Sequence, residues 1–239
     1  MTAAPLRTLS IIIPAYNEGR TIAELLDQVL AVELRDGVQR ELVIVDDGSK
    51  DDTAERAKAF QAAHPQERIQ VFVQPVNRGK GAAIHKGIEL AKGDHLIVQD
   101  ADLELAPEQI NDLLGPVLRG EADVVYGNRF AEGIPYPEYP LRSYRANRFL
   151  TWLSNRFTGL SIGDMEVCYK LIPVPVAKKL VLKEQRFGFE PEVTSRLARV
   201  KGLRWKEVPV RYSARTRGEG KKIGWKDGVR AMWCIVRYR

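Results

Sequence analysis

His95-Leu96-Ile97-Val98-Gln99-Asp100-Ala101-Asp102 passes from an apolar run to two carboxylates within eight residues. A short apolar run without alternation reads as a strand buried on both faces. Strand periodicity sends Asp100 and Asp102 the same way if the extended backbone continues past Val98. Strands of that kind belong to sheets covered by helices on both sides, so the flanking sequence should alternate between the two element types. It does. Leu9-Ser10-Ile11-Ile12-Ile13 (stopped by Pro14), Leu42-Val43-Ile44-Val45, Ile69-Gln70-Val71-Phe72-Val73 and Asp123-Val124-Val125-Tyr126 read as further strands. Between them, Thr21 to Val32 carries Ile22, Leu25, Leu26 and Val29 at helical spacing. Asp51-Asp52-Thr53 supplies capping chemistry for a helix reaching about Ala63. Gly81 to Ala91 is helical, and Pro107 suits the first position of a helix ending near Leu118. The fold class is α/β, Rossmann-like, with a mostly parallel sheet and flanking helices.

The character changes near residue 130. Ile134 to Pro140 holds three prolines and two tyrosines, which suits a mobile loop. Leu141 to Phe157 reads as an amphipathic helix with Leu141, Tyr144, Phe149, Leu153 and Phe157 on one side and Arg142, Arg145, Arg148 and Arg156 making it basic. Glu166 to Ile172 suits a strand and Glu190 to Val200 a helix. Leu203 to Tyr212 alternates as a strand, with Pro209 pointing to a sheet edge. Arg215 to Gly224 is a Gly/Lys/Arg loop, and Trp225 to Tyr238 a second basic amphipathic helix. Two regions of one domain are expected: a ligand-binding α/β region over 1–130, and a closing region with basic helices over 131–239.

Composition narrows the function. The chain has 239 residues, with 37 Lys+Arg against 31 Asp+Glu and a net charge of +6. Residues 1–120 carry −6 and residues 121–239 carry +12, so the second half is suited to anionic partners. Its basic residues are not interleaved with an aromatic platform, which argues against nucleic acid. Cys168 and Cys234 suggest free thiols in a reducing compartment. No stretch of 18 apolar residues and no apolar leader occur, so a cytoplasmic protein is expected. The three histidines, His64, His85 and His95, lack metal spacing and are expected to be structural or exposed. Asn77-Arg78-Gly79-Lys80-Gly81 imitates a dinucleotide fingerprint, but Ile84 stands where the third glycine belongs. Its glycines suit close backbone approach, with Lys80 as a phosphate contact.

Ligands of open α/β sheets bind beyond the carboxyl ends of the strands. There this chain places Pro14-Ala15-Tyr16-Asn17-Glu18, Asp46-Asp47-Gly48-Ser49, Asp100-Ala101-Asp102-Leu103-Glu104 and Gly127-Asn128-Arg129. Carboxylates can accept from a base or ribose, an aromatic can stack on the base, and a metal on the aspartates can bridge a diphosphate. That inventory suits a sugar nucleotide, although Asp46-Asp47-Gly48-Ser49 is good turn chemistry by itself.

Together these stretches, with Gly127-Asn128-Arg129-Phe130, resemble family 2 glycosyltransferases of GT-A fold over nearly the whole chain. They are most similar to the catalytic part of polyprenyl-phosphate (dolichol-phosphate) mannosyl- and glucosyltransferases. The resemblance implies that Pro14, Tyr16, Glu18 and Asp46 bind the nucleoside, with Ala15, Asp47, Lys80 and Ala101 beside the donor. It implies Mg²⁺ or Mn²⁺ on Asp100 and Asp102, with Glu104 in the position of a third ligand. Arg129 is placed at the acceptor phosphate and Asp164 near the reacting sugar. Phe189-Glu190-Pro191-Glu192 resembles the family's Phe-Glu-x-Glu stretch, and Tyr212 to Ile223 a loop that closes over the donor phosphates. Relatives often carry serine before that loop's lysine, where Lys221 stands here.

The implied reaction is inverting transfer of a hexose from GDP-mannose or UDP-glucose to polyprenyl phosphate. Asp102, Arg129, Asp164, Glu190 and Arg215 would carry the chemistry, with Lys221 or Lys222 adding positive charge at the leaving diphosphate. A phosphate acceptor is mostly dianionic at neutral pH and needs no general base. A hydroxyl acceptor, the alternative, would recruit Asp164, Glu190 or Glu192. A lipid acceptor implies peripheral contact of the two basic helices with an anionic membrane.

Overall fold

The computed structural model describes residues 6–131, 141–213 and 225–239. The chain runs β1 (Thr8–Ala15), α1 (Ile22–Ala31), β2 (Gln39–Asp46), α2 (Thr53–Ala63), β3 (Ile69–Val73), α3 (Lys80–Leu90), β4 (His95–Val98), α4 (Ile110–Leu118), β5 (Val124–Asn128), α5 (Leu141–Thr158), β6 (Lys170–Pro173), α6 (Val174–Ala177), α7 (Phe189–Ala198), β7 (Trp205–Pro209) and α8 (Trp225–Arg237). One seven-stranded sheet has the order β3-β2-β1-β4-β6-β5-β7. Pairs β1–β2, β1–β4, β2–β3 and β5–β7 are parallel, while β6 runs antiparallel to both β4 and β5. The region after residue 130 thus contributes β6 and β7 to the same sheet. β7 is an edge strand, and Pro209 pairs only with Asn128, as a residue without an N–H requires.

Both faces of the sheet are buried, which explains the continuous apolar runs. Leu9, Ile11 and Ile13 pack with Ile22, Leu25 and Leu26 of α1 and Leu113 and Leu114 of α4. Ile12, Val43, Val45, Leu96 and Val98 face the other way, onto Ala83, Ile84 and Ile88 of α3 and Val193 and Leu197 of α7. Each such side chain contributes about 1.5–3 kcal/mol by leaving water. Strand order reverses at β1: the connection after β1 leads to β2 on one side, and the chain returns to β4 on the other. The crevice between the ends of β1 and β4 is where an open α/β sheet binds its ligand.

Several expected elements shift. Of Glu166 to Ile172 only Lys170 onward joins a strand. The apolar face assigned to α5 is not the buried one. Leu150, Thr151 and Ser154 are buried, whereas Leu141, Phe149 and Phe157 are exposed. The helix packs through Leu150, Thr151 and Ser154, with Leu153 partly buried against the core, and leaves Leu141, Phe149, Trp152 and Phe157 exposed. The loop expected at Ile134 to Pro140 lies outside the described residues. No helix among the described residues is long and apolar enough to cross a membrane.

Candidate active site

A cleft of about 930 Å³ opens at the crevice, and the loops after β1, β2, β4 and β5 form its rim. The β1 and β2 loops are clamped together by backbone-to-side-chain bonds. Asn17 N–H donates to Ser49 Oγ (2.9 Å), Lys50 N–H to Asn17 Oδ1 (2.9 Å) and Glu18 N–H to Thr53 Oγ1 (2.9 Å). Asn17 itself has φ +53°, a region that asparagine tolerates better than most residues. Thr21 Oγ1 then donates to the Ala101 carbonyl (2.8 Å), tying the β1 loop to the acidic stretch. Pro14, Ala15, Tyr16 and Glu18 line the cleft, as expected of the nucleoside side.

Asp46 and Asp47 have different surroundings from those their motif suggested. Asp46 is buried and does not line the cleft; it accepts from the backbone and hydroxyl of Ser49 (3.0 and 2.5 Å). Asp47 touches the cleft wall, but its two oxygens accept from Gln74 Nε2, Asn77 Nδ2 and the N–H groups of Arg78 and Gly79 at 2.7–2.9 Å. Burial pushes its pKa up, and the two backbone bonds oppose that. In this arrangement the pair holds the turn and the Gly-rich loop.

That loop opens α3. Gly79 has φ +103°, which a side chain would strain, and a Cβ there would sit 2.5 Å from the Gln185 carbonyl oxygen. Ala82 N–H donates to that same carbonyl (3.0 Å), and a Cβ on Gly81 would overlap the Glu184 carbonyl. The glycines therefore allow the start of α3 to lie against the backbone of 184–186, and they are not a dinucleotide fingerprint. Gly81→Ala is expected to lower stability by about 1–3 kcal/mol, as overpacking against backbone does. It should also weaken nucleotide-sugar binding by displacing Lys80; calorimetry and ligand titration check both.

Lys80 Nζ lies 2.7 Å from both Asp100 oxygens. Burial alone would lower the ammonium's pKa, but the charge and hydrogen bond of Asp100, with the charges of Cys168 and Glu190, together raise it. Asp102 is pushed up to about 7 by burial, with the charges of Asp100 and Glu104 adding to it. Two crowded carboxylates, one already partnered by a cation, make a donor set suited to a hard divalent ion that completes its shell with phosphate oxygens. Glu104, the expected third ligand, lies close enough for its charge to act on Asp102. No three acidic, His or Cys side chains among the described residues are arranged to hold a metal. The Glu104 carboxylate accepts from Tyr212 Oη, and its carbonyl accepts Ser213 N–H (2.9 Å). This holds Tyr212 and Ser213 beside the acidic stretch.

Arg129 also lines the cleft. Asp164, wholly buried, grips it in a fork: Nε to Oδ2 at 2.7 Å and Nη2 to Oδ1 at 2.9 Å, with Arg129 N–H also donating at 3.2 Å. Glu207 of β7 accepts the N–H groups of Gly163 and Asp164 (2.7 and 3.2 Å) and so holds the Asp164 backbone. Asp164 is not among the residues lining the cleft, and its fork fixes the orientation of Arg129. Tyr212 stacks under the guanidinium at 5.1 Å. Glu190 lines the cleft but is ion-paired with buried Lys170. Glu192, the other acid of its motif, is fully buried and accepts the N–H groups of Lys183 and Glu184 (2.8 and 2.7 Å), which removes it as a base. Arg215, Lys221 and Lys222 lie outside the described residues.

The sequence reading missed Tyr212's bond to Glu104, the Glu207 clamp and two cleft-lining residues, Glu166 and Cys168. Strand periodicity could not have found the last two, because residues 165–168 lie in a turn and bend before β6 begins. The histidines stay structural: His64 Nδ1 contacts the Phe60 carbonyl, His95 is buried, and His85 lies against Phe189.

A sheet with this switch point, and a cleft there lined by an acidic pair and a clamped arginine, defines a nucleotide-sugar-type site on an α/β scaffold. The sequence model of glycosyl transferase family 2 matches residues 10–181. The chain is 32% identical over 228 residues to undecaprenyl-phosphate 4-deoxy-4-formamido-L-arabinose transferase of Shewanella sediminis, covering 95% of this chain and 65% of that protein. It thus spans just under two thirds of that relative's length. It is 30% identical over 264 residues to dolichyl-phosphate beta-glucosyltransferase of Drosophila melanogaster, covering 98% of this chain and 76% of that one. The chain belongs to glycosyl transferase family 2. Its fold matches the GT-A glycosyltransferase glucosyl-3-phosphoglycerate synthase of Mycobacterium tuberculosis, with a TM-score of 0.70 at 22% identity over 97% of this chain and 79% of that one. That crystal structure holds Mn²⁺, UDP-glucose and phosphoglyceric acid.

Proposed function

We propose that this chain transfers a hexose from a nucleoside diphosphate sugar, UDP-glucose or GDP-mannose, to polyprenyl phosphate, with inversion at the anomeric carbon. The observation that carries this reading is one cleft lined by both an acidic pair and Arg129, which is locked by Asp164. A guanidinium presented this way suits a phosphate. Asp100 and Asp102 would hold Mg²⁺ or Mn²⁺, which would neutralise charge on the departing diphosphate. Lys80, at the start of α3, stands ready to exchange Asp100 for a donor phosphate. Tyr16 and Glu18 would take the nucleoside. Arg129 would orient an acceptor phosphate whose own oxygen attacks, so no general base is required. Arg215 with Lys221 or Lys222 would add positive charge at the diphosphate on closure. The names of the bacterial and fly relatives support a polyprenyl acceptor. The fold match to a synthase crystallised with phosphoglyceric acid favours a second reading, a small phosphorylated acceptor.

A thermal-shift panel of UDP-glucose, GDP-mannose and their diphosphates with Mn²⁺, followed by transfer assays, tests both readings. A ligand at a hundredfold excess over its Kd stabilises the fold by about 2.7 kcal/mol. Transfer to polyprenyl phosphate supports the first reading, and transfer only to phosphoglycerate supports the second. If no donor shifts the melting temperature, both are overturned.

A lipid acceptor also implies a peripheral membrane position. α5 and α8 pack against each other and expose Trp152 (61%), Phe149 (49%) and Trp233 (45%). Exposed Arg142, Arg145, Arg156, Arg237 and Arg239 lie on the same two segments. Aromatics beside arginines suit an anionic lipid surface, where each cation contributes about 1 kcal/mol. The variant with Trp152→Glu and Trp233→Glu is expected to keep its melting temperature and lose sedimentation with phosphatidylserine vesicles. Unchanged sedimentation would remove this face as the contact.

A further inference from the structure

Glu166 is a cleft-lining acid that neither the mechanism nor the family motifs use. In the chain it stands between a residue that holds Arg129 and one near the acidic pair. Asp164, two residues before it, clamps Arg129; Cys168, two residues after it, lies within electrostatic reach of Asp100, Lys80 and Asp102. Along this stretch Met165, Val167 and Tyr169 are fully buried in the core, while Glu166 and Cys168 line the cleft. Its neighbours Lys170 and Glu190 are ion-paired with each other, and Arg129 is taken by Asp164. Glu166 Oε1 is buried and has no hydrogen-bond partner. A buried carboxyl oxygen left without a partner costs free energy in the unliganded protein, so it calls for a ligand.

The position limits what that ligand is. The carbon that changes partners must lie between the leaving diphosphate and the attacking group. With the diphosphate over Asp100 and Asp102 and the acceptor at Arg129, Glu166 lines the cleft that holds both. A phosphate would be repelled by a carboxylate, but a sugar hydroxyl would not. On the functional reading given above, we propose that the Glu166 carboxyl hydrogen-bonds a hydroxyl of the sugar being transferred and so helps to select that sugar. Burial, and next the charge of Glu190, push its pKa up to about 7, against the pull of Lys170 and Arg129. Near neutral pH it therefore exists in both forms, able to donate to or accept from a hydroxyl.

The test compares affinity for a nucleotide sugar with affinity for its bare diphosphate, for both the UDP-glucose/UDP and GDP-mannose/GDP pairs with Mn²⁺. For Glu166→Leu and Glu166→Ala, the nucleotide sugar should bind about tenfold more weakly, as expected for one lost hydrogen bond to a carboxyl, while the diphosphate stays within about twofold. Glu166→Gln, which keeps a donor and an acceptor, should restore most of the difference. Glu166→Leu should melt no lower than wild type, because it removes an unpartnered buried acid. A purely structural role gives the opposite pattern: a lowered melting temperature with both ligands weakened equally. That result overturns the assignment of Glu166 and leaves the transferase reading standing. Wild-type protein binding neither pair overturns both.

Discussion

Asp102→Asn is expected to abolish transfer, by about 10³-fold or more, while the protein stays folded. The fold-change corresponds to about 4 kcal/mol of lost transition-state stabilisation, the range attributed to a divalent ion at a leaving group. A second, opposite effect identifies the cause. Asp102 is pushed up to about 7 by burial, then by Asp100 and Glu104, from an ordinary value of 3.8. A carboxyl whose pKa is raised on folding lowers stability as pH rises through the interval between the unfolded and folded values. Stability should therefore fall between about pH 4 and pH 7 in the metal-free wild type, and this part of the slope should vanish in Asp102→Asn. Above pH 7 the metal-free variant should melt higher than wild type. Adding Mn²⁺ should raise the melting temperature of wild type and leave the variant unmoved. Full turnover of the variant, or of wild type in EDTA, would remove the metal from this reading.

Arg129→Ala is expected to lose at least 100-fold in transfer and also to lower the melting temperature. The reason is the fork with Asp164, which is wholly buried. Removing one partner strands the other charge, at a cost of about 3–5 kcal/mol. Asp164→Ala should destabilise similarly, although Asp164 does not line the cleft, because Arg129 then loses both its partner and its fixed orientation. The double variant separates the two effects. Replacing both groups removes the uncompensated charge, so stability should recover towards wild type while activity stays lost. Recovery of activity with stability would show that Arg129 acts only in the fold. Arg129→Lys should keep the charge but lose the fork, raising the KM for the acceptor more than it lowers kcat for bound complexes.

How much was legible depends on how far apart the interacting residues lie in the chain. The strand–loop stretches Ile11 to Glu18, Val43 to Ser49 and His95 to Glu104 could be read directly. In each, burial of the strand and the chemistry of the loop follow one another within ten residues. The helix boundaries of α1 and α7 and the edge position of β7 were legible for the same reason. The buried face of α5 was not. Its large apolar residues suggested one stripe, but the fully buried positions are Leu150, Thr151 and Ser154, with Leu153 partly buried against the core. Glu190 and Glu192, two residues apart, read alike as bases. Packing gives one of them a lysine and the other two backbone amides.

The sequence alone therefore determined the α/β layering, the parallel core strands and the acidic pair, because periodicity and turn chemistry act between neighbours in the chain. Tertiary structure decided what each acid does. Asp164 meets Arg129 across 35 residues, Glu207 holds Gly163 across 44, and Tyr212 reaches Glu104 across 108. A carboxylate's role depends on which donors surround it and how much water is left. Both are set only when distant strands, with β6 inserted between β4 and β5, close into one sheet.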